Sequence, residues 1–250
     1  MGFFLEWVSK LRKRAEMRGY TCDMCGAEIF TYPTDRLCAK CEKQMVKNDC
    51  LTCFKCGRPT RAEGVCLDCK DQAPAFTFGY SPFVYGGNSA ALVNRMKNGE
   101  QWLARYFGER MADEIAEQHP ELFQTPPLVI PVPLTKERLK ERGYNQAERL
   151  AEAIVHRLTA KGIDAETDAQ LLLKIRETGQ QKHMGRRARA ENAAGAYHVH
   201  KRKECKGRVI LLIDDIMTTG ATGSACAEKL LKAGASLVVF LVATAIPEGK

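Results

Sequence analysis

No apolar run in this sequence is long enough to cross a membrane. The longest, such as Leu237 to Ile246, stop near half of the ~20 residues that a spanning helix needs. An export signal is missing too, because the apolar FFLEWV segment precedes its basic cluster instead of following one. Compositional bias is equally absent. With 20 Gly and 10 Pro in 250 residues, 45% hydrophobic and 27% charged, the chain is not collagenous, coiled-coil or disordered. That length accommodates one or two domains with cores of ordinary size. A globular cytoplasmic protein without a transmembrane segment is expected.

The excess is in cysteine, of which there are 11. Disulfides would account for them in a secreted chain, but in a reducing cytosol metal is the better explanation. Cys22, Cys25, Cys38 and Cys41 read C-x2-C-x12-C-x2-C, and Cys53, Cys56, Cys66 and Cys69 read C-x2-C-x9-C-x2-C. A two-residue gap lets one tight turn aim two thiolates at a tetrahedral ion, and a second pair closes the shell, which suits structural Zn2+. Gly26 and Gly57 supply the positive φ that such a knuckle wants. Two zinc ions are expected, with sequential pairing favoured and interleaved pairing left open. Cys50, Cys205 and Cys226 are expected to behave as small hydrophobes.

The formal net charge is +8, and the segment from Lys174 to Arg208 alone carries a net +8. Zinc in two four-thiolate sites lowers the total to about +4. A basic segment of this kind attracts phosphates, whether of a polyphosphate ligand or of a nucleic acid.

Three regions follow from the patterning. Residues 1–19 have an amphipathic helical pattern, suited to packing on protein or, alternatively, to peripheral association with a membrane surface. Residues 20–72 form a double zinc region too poor in large apolar residues to fold without metal. Residues 73–250 alternate strand and helix. Strand-type runs lie at Phe76 to Tyr80, Leu128 to Val132, Gln170 to Ile175, Val209 to Ile213 and Leu237 to Ala243. Helical periodicity lies at Asn88 to Met96, Gln101 to Gln118, Gln146 to Thr159 and Thr222 to Lys232. The alternation predicts an α/β fold with a mostly parallel sheet, and ligands there bind at the carboxyl ends of strands.

One segment combines all the features of a sugar-phosphate site. VILLIDDIMTTGAT, residues 209–222, is a buried strand ending in two carboxylates, then a threonine and glycine loop, then a helix. The loop offers amides and hydroxyls to a phosphate at a helix N-terminus. Asp214 and Asp215, just upstream, can accept hydrogen bonds from a vicinal diol.

These residues resemble the phosphoribosyl pyrophosphate (PRPP) signature of type I phosphoribosyltransferases. Joined to the two CxxC sets, to Val129-Ile-Pro-Val-Pro133 and to Arg142-Gly-Tyr-Asn-Gln146, the chain from about residue 20 to 246 resembles the ComF (ComFC) family of competence proteins. The resemblance implies an N-terminal double zinc ribbon followed by a type I phosphoribosyltransferase-like domain. It implies PRPP bound with Mg2+ and a pentosyl transfer to an acceptor that the sequence does not name. Asp214 and Asp215 would meet the ribose hydroxyls, and Thr218, Thr219, Gly220, Ala221 and Thr222 the 5′-phosphate. The pyrophosphate loop would run from Pro131 to Leu134 and on toward Arg142 and Gly143. A flexible catalytic loop would span Arg176 through Asn192, with Gln180, Arg186, Arg187 and Arg189. Phe83, Tyr85 and Lys97 would lie in a hood over the acceptor.

The resemblance also implies a part in natural transformation and DNA uptake, handling single-stranded DNA beside a helicase-like partner. The alternative is a non-catalytic protein whose zinc ribbons bind DNA or a partner and whose PRPP pocket is a sensor. Plainer readings stay open for several residues. Arg138 and Arg142 can form a solvated helix face with Glu137 and Glu141, and the loop arginines can be solvated. The zinc region can be a scaffold or, with Phe30, Tyr32 and Phe54 among basic residues, a surface that stacks bases. His183, His198 and His200 are expected to be structural.

Overall fold

The structure is a computed structural model and describes residues 21–30, 36–176 and 195–249. The expected helix in residues 3–18 lies outside the described residues, as do Tyr32, Gln180, His183, Arg186, Arg187 and Arg189. The chain divides into two compact units between Met45 and Val46. No helix among the described residues is long and apolar enough to cross a membrane.

The smaller unit is built around one cysteine set. Gly26, at φ 74°, turns the chain so that its amide reaches the Cys22 carbonyl at 2.9 Å. Helix α1 (Ala39–Lys43) begins directly after Cys38 and buries Cys41. An Arg36–Asp23 ion pair of 2.8 Å, nearly withdrawn from water, ties the two arms together.

The larger unit begins with the second cysteine set, which the chain runs into without a break. Helix α2 (Leu67–Asp71) follows Cys66 as α1 follows Cys38. Then come β1 (Phe78–Tyr80), β2 (Phe83–Val84), α3 (Gly87–Lys97), α4 (Leu103–Gln118) and a 3-10 turn at Pro120–Phe123. Next are β3 (Leu128–Pro131), α5 (Lys136–Arg142), α6 (Gln146–Ala160), β4 (Glu166–Thr167) and β5 (Leu172–Lys174). The last elements are β6 (Tyr197–Val199), α7 (Arg202–Cys205), β7 (Val209–Met217), α8 (Ala221–Lys232) and β8 (Leu237–Ala245).

The main sheet runs β1-β8-β7-β3-β4 with β2 also on β8, and every pairing in it is parallel. The α/β reading with a mostly parallel sheet therefore holds. β7 and β8 are apolar along almost their whole length because both faces of the sheet are covered. Leu128, Ile130, Leu212 and Phe240 share a buried cluster with Cys226 and Leu230 of α8. The alternate residues, among them Val129, Leu211 and Val239, turn to the other face, where α4 and α6 pack.

One expectation needs correction. The Gln170 to Ile175 run does not join the sheet: β5 pairs antiparallel with β6 as a separate two-stranded ribbon. Its place at the sheet edge goes to β4, whose two residues are exposed and polar, as an edge that resists further pairing requires. The two compact units divide after Met45, within the expected zinc region of residues 20–72. The cause is packing, since Cys53, Cys56, Cys66 and Cys69 belong to the same buried cluster as Phe76 and Met217.

Candidate functional site

The eight CxxC cysteines gather into two four-sulfur groups, with all sulfur atoms of a group within 4.8 Å of one another. The grouping is sequential. Cys25 and Cys38 sulfurs are 3.8 Å apart, as are those of Cys56 and Cys66. Such a separation is too long for a disulfide and equals the edge of a tetrahedron whose corners lie about 2.3 Å from a zinc ion. Amides point at the sulfurs as thiolates demand: Cys38 N donates to Cys22 Sγ at 3.2 Å, and Cys66 N donates to Cys53 Sγ at 3.3 Å. The Cys56 thiol is drawn down to about 5, first by its hydrogen bond with Cys69 and further by the amide and charge of Arg58. Both groups fit a structural divalent metal. Of the remaining cysteines, Cys205 and Cys226 are buried and Cys50 is exposed.

The second constellation is at the carboxyl end of the sheet. β7 is a strand because Val209 to Ile213 are apolar and largely buried, and it delivers Asp214 and Asp215 in succession to its end. Successive strand residues face opposite ways, so the two carboxylates meet different surroundings. Asp215, only 7% exposed, pairs with Lys97 Nζ at 3.2 Å. Asp214 accepts the Asp215 amide at 2.9 Å, yet its carboxyl is pushed up to about 7. Burial is the main cause and the neighbouring Asp215 charge the second, and the positive fields of Lys97 and Arg142 offset them only in part. Tyr197 lies in the same field, its hydroxyl held well above its ordinary value by burial first and then by Cys226 and Asp214.

Lys97 ends α3, and its backbone carbonyl accepts Gln146 Nε2 at 3.4 Å, while Gln146 Oε1 accepts Arg142 Nη1 at 3.1 Å. These contacts join the ends of three helices into one rim. Gly143, at φ 75°, closes α5 with its amide on the Leu139 carbonyl at 2.8 Å. Asn145 opens α6 two residues later by accepting the Ala147 amide at 3.1 Å. Arg142 is thus held at the tip of a short connection. Asn94, Lys97, Asn98, Gly99, Glu141 and Arg142 line a pocket of about 400 Å³ there. Beyond β3, Pro133 to Thr135 and the strand leading to Arg176 bound a larger cleft of about 800 Å³.

The loop after β7 leaves Thr218 and Thr219 exposed. Gly220 then takes φ 75°, a left-handed conformation open chiefly to glycine, and α8 starts at once, with Ser224 N on the Gly220 carbonyl at 2.8 Å. Gly220 has no side chain to cap this helix, and the first amide, Ala221 N, donates to Thr219 Oγ1 at 3.4 Å. The Thr218 carbonyl is taken by Arg58 Nη2 at 2.5 Å.

The structure therefore brings Lys97 into contact with Asp215 and within reach of Asp214 by its charge. It places Arg142 near enough to act on Asp214 by its charge, and it sets Thr218 to Thr222 at the mouth of α8. Arg186 lies outside the described residues. Sequence reasoning gave Lys97 no carboxylate partner and gave Arg58 no link to the loop. A lysine closing an amphipathic helix carries no signal for its partner. For Arg58 a signal existed, in that it directly follows the Cys-x2-Cys-Gly knuckle.

No family model matches the sequence. The competence protein ComFC of Bacillus subtilis is 27% identical over 209 residues, covering 81% of this chain and 80% of its own. The DNA utilization protein YhgH of Salmonella typhimurium is 26% identical over 205 residues, covering 81% and 86%. Competence protein F of Haemophilus influenzae is 26% identical over 202 residues, covering 79% and 85%. Among solved structures, a hypoxanthine phosphoribosyltransferase from Staphylococcus aureus aligns over 58% of this chain and 75% of its own, at 15% identity and a TM-score of 0.35.

Proposed function

We propose that the chain is a member of the ComF family of competence proteins and that its larger unit binds PRPP with Mg2+ at the carboxyl end of β7. The observation that carries this is the order of groups along one strand and turn. Two carboxylates at the end of β7, one of them paired with Lys97, are followed at once by a threonine and glycine loop and a helix N-terminus whose N-cap is Gly220. Asp215, paired with Lys97, and Asp214 accept the two ribose hydroxyls, while Thr218 to Thr222 take the 5′-phosphate. Arg142 and Gly143 stand at the pyrophosphate, a role the family resemblance also gives to Arg186.

The Mg2+ supplies charge neutralisation to the pyrophosphate. In the transfer, the bond between ribose C1 and the pyrophosphate oxygen breaks, its electron pair leaves with pyrophosphate, and the acceptor forms the new bond to C1. The side chains orient the sugar, exclude water and place positive charge beside the departing group. Zn2+ fills both cysteine groups in a structural role. Two of the relatives carry competence in their names and one carries DNA utilization, which supports a cytoplasmic role in handling incoming single-stranded DNA, with the Lys174 to Arg208 segment on its phosphates and a helicase-like protein alongside.

Calorimetric titration of zinc-loaded protein with PRPP, with and without Mg2+, tests the site. Binding that needs Mg2+ and disappears in Asp214→Asn/Asp215→Asn, with circular dichroism unchanged, is the expected result. Equal affinity in the double variant would refute the diol assignment.

A further inference from the structure

Arg58 follows Cys53-x2-Cys56-Gly57, and the knuckle fixes where it points. The Gly57 amide donates to the Cys53 carbonyl at 2.8 Å and the Cys53 amide to the Arg58 carbonyl at 2.9 Å, so the arginine backbone is part of the turn that gathers the sulfurs. Its side chain is 5% exposed and crosses into the α/β body. One end nitrogen donates to Asp68 Oδ2 at 2.7 Å, on the helix that carries Cys69, and the other donates to the Thr218 carbonyl at 2.5 Å. The contact spans 160 residues of sequence. The charge is also costly to bury, since Arg58 Nε has no hydrogen-bond partner among the described residues.

The knuckle cannot shift independently of the strand it rests on. A Cβ on Gly57 would stand 2.2 Å from the Gly79 carbonyl oxygen, and one on Gly79 would stand 2.4 Å from the Cys56 carbonyl oxygen. Lys55 Nζ donates to the carbonyls of Phe76 at 2.5 Å and Thr77 at 3.0 Å, and a Cβ on Gly220 would lie only 3.6 Å from the Phe76 ring. The second cysteine group therefore reaches the loop along two routes, one through Arg58 to Thr218 and one through Phe76 to Gly220.

We propose that Arg58 is a positioning residue through which the second cysteine group, once metal is bound, holds the Thr218 to Thr222 loop in its phosphate-receiving shape. This makes ligand affinity at the end of β7 dependent on the metal state of a site that does not touch the ligand. The part concerning affinity rests on the proposed PRPP site, while the part concerning loop order does not.

The experiment compares the full zinc-loaded chain with Arg58→Met, Arg58→Lys, Asp68→Asn and Arg61→Met. Zinc content, thermal midpoint, deuterium exchange over residues 216–222 and PRPP affinity with Mg2+ are measured for each. Arg58→Met is expected to keep two zinc ions per chain, to exchange at least tenfold faster in the loop with α6 unaltered, and to bind PRPP at least tenfold more weakly. Arg58→Lys, which can satisfy Asp68 or Thr218 but not both, should fall between, and the exposed Arg61→Met should match the parent. Unchanged loop exchange in zinc-replete Arg58→Met overturns the proposal. Should that variant fail to fold, unchanged exchange in both Arg58→Lys and Asp68→Asn overturns it instead. A parent protein that does not bind PRPP refutes the proposed site alone, because the exchange comparison still decides the role of Arg58.

Discussion

Two adjacent aspartates in unlike surroundings set the chemistry at the level of single residues. Asp215 has Lys97 at 3.2 Å, whereas burial and the Asp215 charge raise Asp214 to about 7. The consequence for stability has a definite sign. On unfolding, Asp214 returns to its ordinary value near 3.8, so the unfolded chain gives up the proton at lower pH than the folded one. Stability should decline as pH rises from about 4 through about 7 and then level off, by roughly 4 kcal/mol at most. Asp214→Asn stays neutral throughout and should remove that decline. Urea midpoints at pH 5 and pH 8 check it, and an equal decline in parent and variant would show that the carboxyl is not the source.

At the level of elements, close approach of backbones does what side chains do elsewhere. The knuckle and β1 meet through Gly57 and Gly79, with no room for a methyl group on either. Gly79→Ala should therefore cost about 3 kcal/mol or more and loosen the second metal group. Thermal denaturation together with zinc analysis reads both effects, and an unperturbed midpoint would mean that the junction yields easily.

The same elements show what sequence periodicity carries and what it misses. α3, α4, α6 and α8 fall within two residues of the ranges expected from apolar spacing, because each buries one continuous stripe. β7 and β8 were legible as unbroken apolar runs, and the carboxylate and threonine loop followed from its residue types. α5 was not, since its seven residues bury nothing and only its caps define it. β5 read as a sheet strand because three residues, one buried and two half-buried, cannot specify their partner. The links from Lys97 to Asp215 and from Arg58 to Thr218 join positions 118 and 160 residues apart, a distance over which local pattern has no reach.

Across the whole molecule, charge is unevenly placed. The excess of +8 over residues 174–208 equals that of the entire chain, leaving the rest neutral before metal. If single-stranded DNA is held there, log K should fall steeply and linearly with log[salt], and substituting Lys201, Arg202 and Lys203 by Gln should flatten the slope by about 2. Fluorescence anisotropy with a labelled oligonucleotide measures this. A slope unchanged by the substitutions would move the contact to another surface.

The division between Met45 and Val46 also bears on how such a chain can be inherited. Its two cysteine groups look like a duplicated cassette, yet the second shares a buried cluster with β7 and β8 and grips the loop that follows β7. A recombination breakpoint near 45 would exchange the first group between relatives with the second left among its own partners. A breakpoint near 72 would pair one lineage's Arg58 with another's Thr218 loop and one lineage's Gly57 with another's β1. Chimaeras joined at the first position should be recovered far more often than those joined at the second, so the two cysteine groups are expected to diverge as separate lineages of sequence despite their shared pattern.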